Sequence, residues 1–347
     1  MDDYKVKQIW PAHADHISNY KEKYLNQMFL EENVVAQRKY DGERMLIHFN
    51  GNETYCTSRR ISKKTNHYME NQDKLKNLPV FEDLGLGYTV IDCECYSTDW
   101  SAIVGILHSL PERAYQLQET VPVKFAVFDC LWYDGVDISD RPYEERLQFV
   151  HDILDIIYEG YSDYRFHFVE QFKVNNLVEA YSLAKSFWAA GHEGIVVKSL
   201  DRKYYDKGAM LKIKRFETVD LVVYDYQQGT GKYSDVVGAL LVGYYDKEKD
   251  TIIHCSKVNC GTDEDRIFWK NYFDNESVYR DTDNPHGIIP IQKMKVLEVK
   301  CQEITDKSLR HPVYIRIRDD KSPYMCTKET IFKEDKAENF WDTLVIY

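Results

Sequence analysis

Short segments in which apolar and polar side chains alternate recur along the chain, and this period of two constrains the fold more than any other feature. Residues 44–49, 88–95 and 123–133 read as strands of a largely antiparallel sheet system. Helical spacing is clearest at 176–190, where Leu177, Ala180, Ala184 and Trp188 recur three or four residues apart and Gly191 follows as a C-terminal cap. Residues 193–198 form a short apolar strand bracketed by charge, and 209–216 alternate again. From Thr218 the pattern turns to short, evenly spaced strands with turn signals, as in a small β-barrel. No repeat or linker marks a boundary, so the change of pattern sets it. The expected domains are 1–216 and 217–347, with 263–312 a less regular insertion in the second. The fold class is α+β.

With 347 residues, 44% hydrophobic and 14% aromatic, the chain is no disordered or low-complexity sequence. No apolar run approaches the roughly 18 residues that span a bilayer, and MDDYKVKQIW has no signal-peptide core, so an intracellular, cytoplasmic protein without a membrane partner is expected. The eight cysteines lack C-x-x-C pairs, which points to reduced thiols; Cys93 and Cys95 would share one strand face and pack there. A net charge of −12 alone argues against a nucleic-acid partner. Locally the balance reverses: residues 36–64 and 193–215 each carry seven Lys/Arg against three Asp/Glu, and 310–321 carry four against two. If the fold joins these segments they make a phosphate-facing surface; otherwise they are solvated charge runs.

The string KYDGER, residues 39–44, precedes the strand-like MLIHF, which sets Lys39 at a strand edge or turn beside Gly42. A lysine there is ordinarily just solvated. As a nucleophile it needs special surroundings, because with the ordinary lysine pKa near 10.4 only about one amine in a few thousand is neutral at pH 7. Burial and neighbouring cations free the lone pair, and Arg44, Lys198, Lys212 and Lys214 are candidate cations.

The ordered strings KYDGER, TSRR, IDCEC, FAVFDCLWYDG, EGIVVK, MLKIKRF and YIRIRDDK run from the first third of the chain to residue 321. Together they resemble, in order and approximate spacing, the nucleotidyltransferase motifs of the ATP-dependent DNA ligases, a superfamily shared with RNA ligases and mRNA capping enzymes. The resemblance implies an adenylation domain of antiparallel sheets with flanking helices, followed by a C-terminal OB-fold barrel. By the same resemblance Lys39 attacks the α-phosphate of ATP, Asp41 orients the hydroxyl in the sealing step, and Arg44 contacts the nucleotide. Arg59 matches an arginine near the nucleotide and the DNA 5′-phosphate, although an exposed Arg pair is more often only solvated. Glu94 matches a residue that holds the ribose or a metal ion; the plain alternative is an acidic strand terminus. Phe128 matches the aromatic stacked on adenine, against the ordinary reading of a core phenylalanine.

Glu193 matches a metal-binding carboxylate and Lys198 a phosphate-side cation, but five residues apart on a strand they point to opposite faces unless a turn or bulge intervenes. Lys212 and Lys214 alternate with Leu211 and Ile213, so both ammonium groups share a face, and they resemble the lysines that grip the α-phosphate. Arg316, Arg318 and Lys321 match the pyrophosphate-orienting motif of the second domain, or else form a basic edge strand. Three positions depart from the family pattern. Cys93 stands where glycine is common, Met210 where tryptophan often precedes the first lysine, and Gln37 where DNA ligases usually carry glutamate. Glu94 and Glu193 are the candidates for Mg²⁺ or Mn²⁺.

The expected activity is ATP-dependent sealing of nicks in double-stranded DNA by a monomer of the compact viral or bacteriophage type, in DNA repair, replication or recombination. An RNA-end ligase or capping-type nucleotidyltransferase on the same scaffold is the alternative, since fold does not fix substrate. A third reading is a non-catalytic binding protein that uses stacking and basic strips on nucleic acid. A NAD-dependent ligase lacks support, because no four-cysteine zinc cluster is present.

Overall fold

The alternating segments pair into sheets, and helices cover the faces those sheets turn outward. The computed structural model describes residues 7–331 apart from 52, 81–85, 99, 279–286 and 305–307. The chain divides into two units, Met1–Lys214 and Arg215–Tyr347. In chain order the first unit contains α1 (Glu22–Glu31), β1 (Val34–Lys39), β2 (Glu43–Asn50), β3 (Glu53–Ile61), β4 (Thr89–Tyr96) and β5 (Lys124–Tyr133). It continues with α2 (Tyr143–Tyr161), β6 (Gln171–Lys173), α3 (Leu177–Ala189), β7 (Gly194–Ser199) and β8 (Met210–Lys214).

One sheet has the order Asp15–His16, β8, β7, β1, β6. The other runs Tyr68–Glu70, β3, β2, β4, β5, Val136–Asp137, with Phe166–Phe168 beside β5. Pairing is antiparallel except where Asp15–His16 meets β8 and Phe166–Phe168 meets β5. The outer face of the first sheet buries Ala36, Ile195, Leu211 and Ile213 against Leu25 and Met28 of α1 and Ala180 and Ala184 of α3. Met45, Ile47, Cys93 and Cys95 of the second sheet pack on Val150, Ile153 and Ile157 of α2, so the paired cysteines are core residues. Between the sheets Leu46, Val90 and Leu131 meet Met210 and Tyr204. The inner faces also carry the polar side chains of the site.

Local signals explain the helices. The Asn176 side chain accepts from the Glu179 amide at 2.8 Å, and α3 ends before Gly191 at φ +80°. In α2, Tyr143, Leu147, Val150, Leu154 and Ile157 recur at three- and four-residue spacing after Pro142, a pattern as clear as that of 176–190.

The second unit contains β9 (Glu217–Gln228), β10 (Val237–Asp246), β11 (Thr251–Asn259), α4 (Asp263–Glu276), β12 (Lys295–Cys301) and β13 (Val313–Ile317). Its five-stranded sheet has the order β11-β10-β9-β12-β13. The Thr262–Asp265 capping box starts α4, whose Trp269 and Phe273 enter the core with Val219, Leu221 and Leu297. The stretch 263–312 is therefore not the irregular insertion its sequence suggests. It supplies this helix and strand β12, which pairs with β9 from Glu217↔Cys301 to Val223↔Lys295; residues 279–286 and 305–307 lie outside the described residues.

Candidate active site

Strand register assembles the site. On β1, Val35, Gln37 and Lys39 alternate onto the inner face, and β7 pairs Val35 with Lys198, Gln37 with Val196 and Lys39 with Gly194. On the other side of β7, Lys198 meets Met210, Val196 meets Lys212 and Gly194 meets Lys214. The sheet thus carries rows about 7 Å apart: Lys39–Gly194–Lys214, Gln37–Val196–Lys212 and Val35–Lys198–Met210. Two of the basic segments meet here, with Lys39, Lys212 and Lys214 on one face.

The parity conflict between Glu193 and Lys198 is resolved by a turn. Glu193 precedes β7, and Gly194 has φ +142°, so the backbone leaves the strand pattern there. A Cβ at 194 would stand 2.1 Å from the Ile213 carbonyl oxygen, which requires glycine. Glu193 consequently reaches Lys39, whose Nζ donates to Oε2 at 2.5 Å. The carboxylate thus sits directly on the amine, beside the cations that the sequence offers. Lys212 lies close by; burial lowers its pKa, and the charges of Lys39 and Arg59 lower it further.

The facing sheet supplies the acids. The Gly42 amide donates to Glu94 Oε1 at 3.1 Å, and a Cβ at Gly42 would meet the Cys95 carbonyl oxygen at 2.2 Å, so the turn through Asp41 can approach β4 only with glycine there. Burial pushes the Glu94 carboxyl up to about 7; Lys39 opposes this and Glu193 reinforces it. Arg44 forks onto Asp92, with Nε 2.9 Å from Oδ1 and Nη2 2.5 Å from Oδ2. Its Nη1 also donates to the Ala12 carbonyl and its Nη2 to Tyr204 Oη, so one of its five N–H groups is left for a ligand among the described residues. Arg59, exposed at the end of β3, donates to His13 Nδ1 at 3.0 Å.

Register sets Lys198 apart from the row of Lys39. It lies opposite Val35, four residues and about 13 Å along β1 from Lys39. At 3% exposure its ammonium donates to the Phe128 carbonyl at 3.1 Å and stands 3.7 Å from Asp129. Burial brings it down to about 8, against the pull of Asp129 and Asp92. Asp129 is also forked by Arg146, at 2.7 and 3.0 Å. Tyr143, fully buried at the start of α2, donates to the same Phe128 carbonyl at 2.7 Å and accepts from Gln37 Nε2 at 2.7 Å. The half-buried Phe128 ring has the Arg44 guanidinium 5.2 Å and the Lys198 ammonium 4.7 Å from its centroid. Sequence reasoning missed Asp129, Tyr143, Arg146 and Tyr204. The signal for Asp129 was the first of the two aspartates in FAVFDCLWYDG, set inside an apolar strand, and for Tyr143 and Arg146 the first turn of a helix whose periodicity was legible.

In the second unit the three pyrophosphate candidates are all paired with acids. Arg316 Nε is 2.7 Å from Glu298, Arg318 bonds Asp220 and Asp320, and Lys321 Nζ is 2.8 Å from Asp220.

Glu94 and Glu193 both act electrostatically on Lys39's neighbourhood and offer hard oxygen donors. Among the described residues no group of three or more His, Cys, Asp or Glu side chains is arranged to hold a metal ion. Two carboxylates without a full cage suit Mg²⁺, which usually keeps waters and takes substrate phosphates as its other ligands. All eight cysteines are free and buried, and no described helix is long and apolar enough to cross a membrane.

The chain is 27% identical over 336 residues to a DNA ligase of Thermococcus onnurineus, covering 91% of this chain and 56% of that one. It is 27% identical over 308 residues to DNA ligase 2 of Methanosarcina acetivorans, covering 84% and 52%. It therefore spans about half the length of these curated relatives. Among solved structures, a Lig E DNA ligase superposes with a TM-score of 0.61 at 16% identity, covering 89% of this chain and 99% of that one. A second, Pmar-Lig, gives 0.60 at 17% identity over 88% and 67%. At such identities the likeness is one of fold: a nucleotidyltransferase domain of sheets and helices followed by an OB-fold domain. The family model of the ATP dependent DNA ligase domain matches residues 12–214, and that of the ATP dependent DNA ligase C terminal region matches 233–321. The first of these models covers more than half of the chain, and the chain belongs to the ATP-dependent DNA ligase family.

Proposed function

We propose that the chain seals 5′-phosphate/3′-hydroxyl nicks in duplex DNA through a lysyl-AMP intermediate. The observation that carries this is the Lys39 amine, held 2.5 Å from Glu193 and flanked in register by Lys214 and, one row on, by Lys212. The neutral amine attacks the α-phosphate of ATP; an N–P bond forms and the bond to pyrophosphate breaks. AMP then passes to the 5′-phosphate at the nick, and the 3′-hydroxyl attacks that phosphate with release of AMP.

Each residue has a physical task in this scheme. Lys212 and Lys214 neutralise the α-phosphate as charge develops on it. Arg44 uses its remaining N–H on the nucleotide, and Asp92 fixes its fork. Gln37 meets the adenine edge, Phe128 stacks on the ring, and Arg59 takes a phosphate. Asp41, in the turn beside Lys39, orients the attacking hydroxyl in the sealing step. Lys198 supports the Phe128 carbonyl from behind. Glu94 and Glu193 hold Mg²⁺, or Mn²⁺, which when bound offsets triphosphate charge and eases loss of pyrophosphate. Arg316, Arg318 and Lys321 orient the pyrophosphate once they exchange their acidic partners for it. In this reading 1–216 is the adenylation domain and 217–347 the OB-fold domain of a monomer acting on nicked DNA inside the cell, a setting that suits eight reduced thiols.

Mass spectrometry after incubation with ATP and Mg²⁺ tests the first step. A gain of one AMP that Lys39→Ala abolishes is the expected result, and an unchanged mass in the wild type overturns it. Nicked duplex DNA set against nicked RNA then tests the substrate.

A further inference from the structure

We propose that Tyr143 sets the base selectivity of the site by fixing the Gln37 amide with its oxygen, not its nitrogen, turned toward the nucleotide. This rests on the reading that Gln37 lies at the base edge. Tyr143 Oη is 2.7 Å from the Phe128 carbonyl oxygen. Two oxygens at that separation need a hydrogen between them, and a carbonyl has none to give, so the single phenol proton is committed there. The Lys198 ammonium on the same carbonyl cannot replace it, because the phenol oxygen would still face a carbonyl lone pair at 2.7 Å.

Tyr143 Oη therefore has only lone pairs left for its other neighbour, the Gln37 amide 2.7 Å away. The amide must present Nε2 to it. The flipped amide would set Oε1 against a phenol oxygen with no proton between them. Gln37 is 2% exposed, so water cannot relieve that contact. With one Nε2 N–H committed to Tyr143, Oε1, which accepts no hydrogen bond among the described residues, is the acceptor Gln37 can offer a ligand. An acceptor takes a purine with an amino group at C6 and repels one with a carbonyl there. The chain reaches by a glutamine and a tyrosine what a carboxylate supplies alone, and Tyr143, which touches no substrate, is a positioning residue.

The test compares ATP with inosine triphosphate, which differs from it at the six-position edge, in single-turnover nucleotidylation of Lys39. The wild type should favour ATP. Tyr143→Phe keeps the ring but frees the amide to rotate, and the ATP-to-inosine preference should fall about tenfold. In the Tyr143→Phe background, where no phenol oxygen faces position 37, adding Gln37→Glu should restore the preference to within about threefold of the wild type, because a carboxylate offers only acceptors. A merely structural role for Tyr143 predicts the same loss with or without Gln37→Glu, and that result overturns the proposal, as does an unchanged ratio in Tyr143→Phe alone. If Tyr143→Phe does not fold, Gln37→Met decides: loss of the acceptor should lower the ATP preference, and an unchanged or raised preference overturns the proposal. Absence of any nucleotide on wild-type Lys39 is a different outcome, the failure of the ligase reading itself.

Discussion

Gly194→Ala concentrates the structural reasoning in one methyl group. The added Cβ would lie 2.1 Å from the Ile213 carbonyl oxygen, where ordinary contact begins at 3.4 Å. Strands β7 and β8 must part by about 1.3 Å, or the backbone must leave φ +142°, a region closed to L side chains. Backbone strain of about 1–3 kcal/mol and overpacking of about 1–3 kcal/mol give an expected loss of roughly 2–6 kcal/mol. Urea titration followed by tryptophan fluorescence measures it, with Trp188 as a local reporter because its Nε1 donates to the Glu193 carbonyl. The same shift moves Glu193 off Lys39 and Lys214 out of its row, and a displacement of about 1 Å typically costs about 100-fold in rate, which single-turnover adenylation reads. Gly105→Ala is the control: exposed in the helix Trp100–Leu107, with nothing within 4 Å of its Cβ, it should stabilise by up to about 1 kcal/mol. A Gly194→Ala loss below about 0.5 kcal/mol would refute the claim that the turn before β7 is built on glycine.

Asp129→Ala strands both Arg146 and Lys198 in the interior and should cost about 3–5 kcal/mol in chemical denaturation; adding Arg146→Met should recover part of that loss. Lys198 gives a pH signature. Its folded value of about 8 lies below the ordinary lysine value of 10.5, so between the two the unfolded chain binds more protons and stability rises with pH. The slope from this group is at most ~1.4 kcal/mol per pH unit, and Lys198→Met should lack it when unfolding curves from pH 7.5 to 10 are compared. Nick binding should weaken steeply with salt, and Arg59→Ala should reduce the log–log slope by about one; equal slopes for the two proteins would remove Arg59 from the phosphate contacts.

What the sequence discloses, and what it withholds, follows from the range of the interactions. Period-two alternation is local, so β2, β4, β5 and β8 were legible, and so was the shared face of Lys212 and Lys214. Register between strands is not local. Strand parity sets Glu193 and Lys198 on opposite faces unless a turn intervenes, but nothing within EGIVVK locates that turn at Gly194 or gives Lys198 to the floor. The 263–312 stretch misled for a similar reason: its barrel strand declares itself only by pairing with β9. Buried polar partners were the least legible. Asp129, Tyr143 and Arg146 sit in apolar patterns, and only the folded chain brings them under Phe128.

That polar floor bears on why the site tolerates an amide at position 37. Burying Asp129, Arg146 and Lys198 between two sheets contributes little net stability, because desolvation offsets much of the Coulombic attraction. Apolar replacements of similar volume would hold the sheets together as well or better. They would not fix the Phe128 carbonyl, which accepts from both Lys198 and Tyr143 and so fixes the phenol proton. Each bond determines the direction of the next, from Asp129 through Lys198 to the carbonyl, the phenol and the Gln37 amide, in surroundings where a missing partner is costly. The network therefore acts on orientation more than on stability. Weakening it at Asp129, at the far end of this chain from the amide, should blur base selectivity in the variant molecules that still fold, whereas cavity-forming changes in the apolar core at Ile91 or Val150 should lower stability and leave selectivity intact.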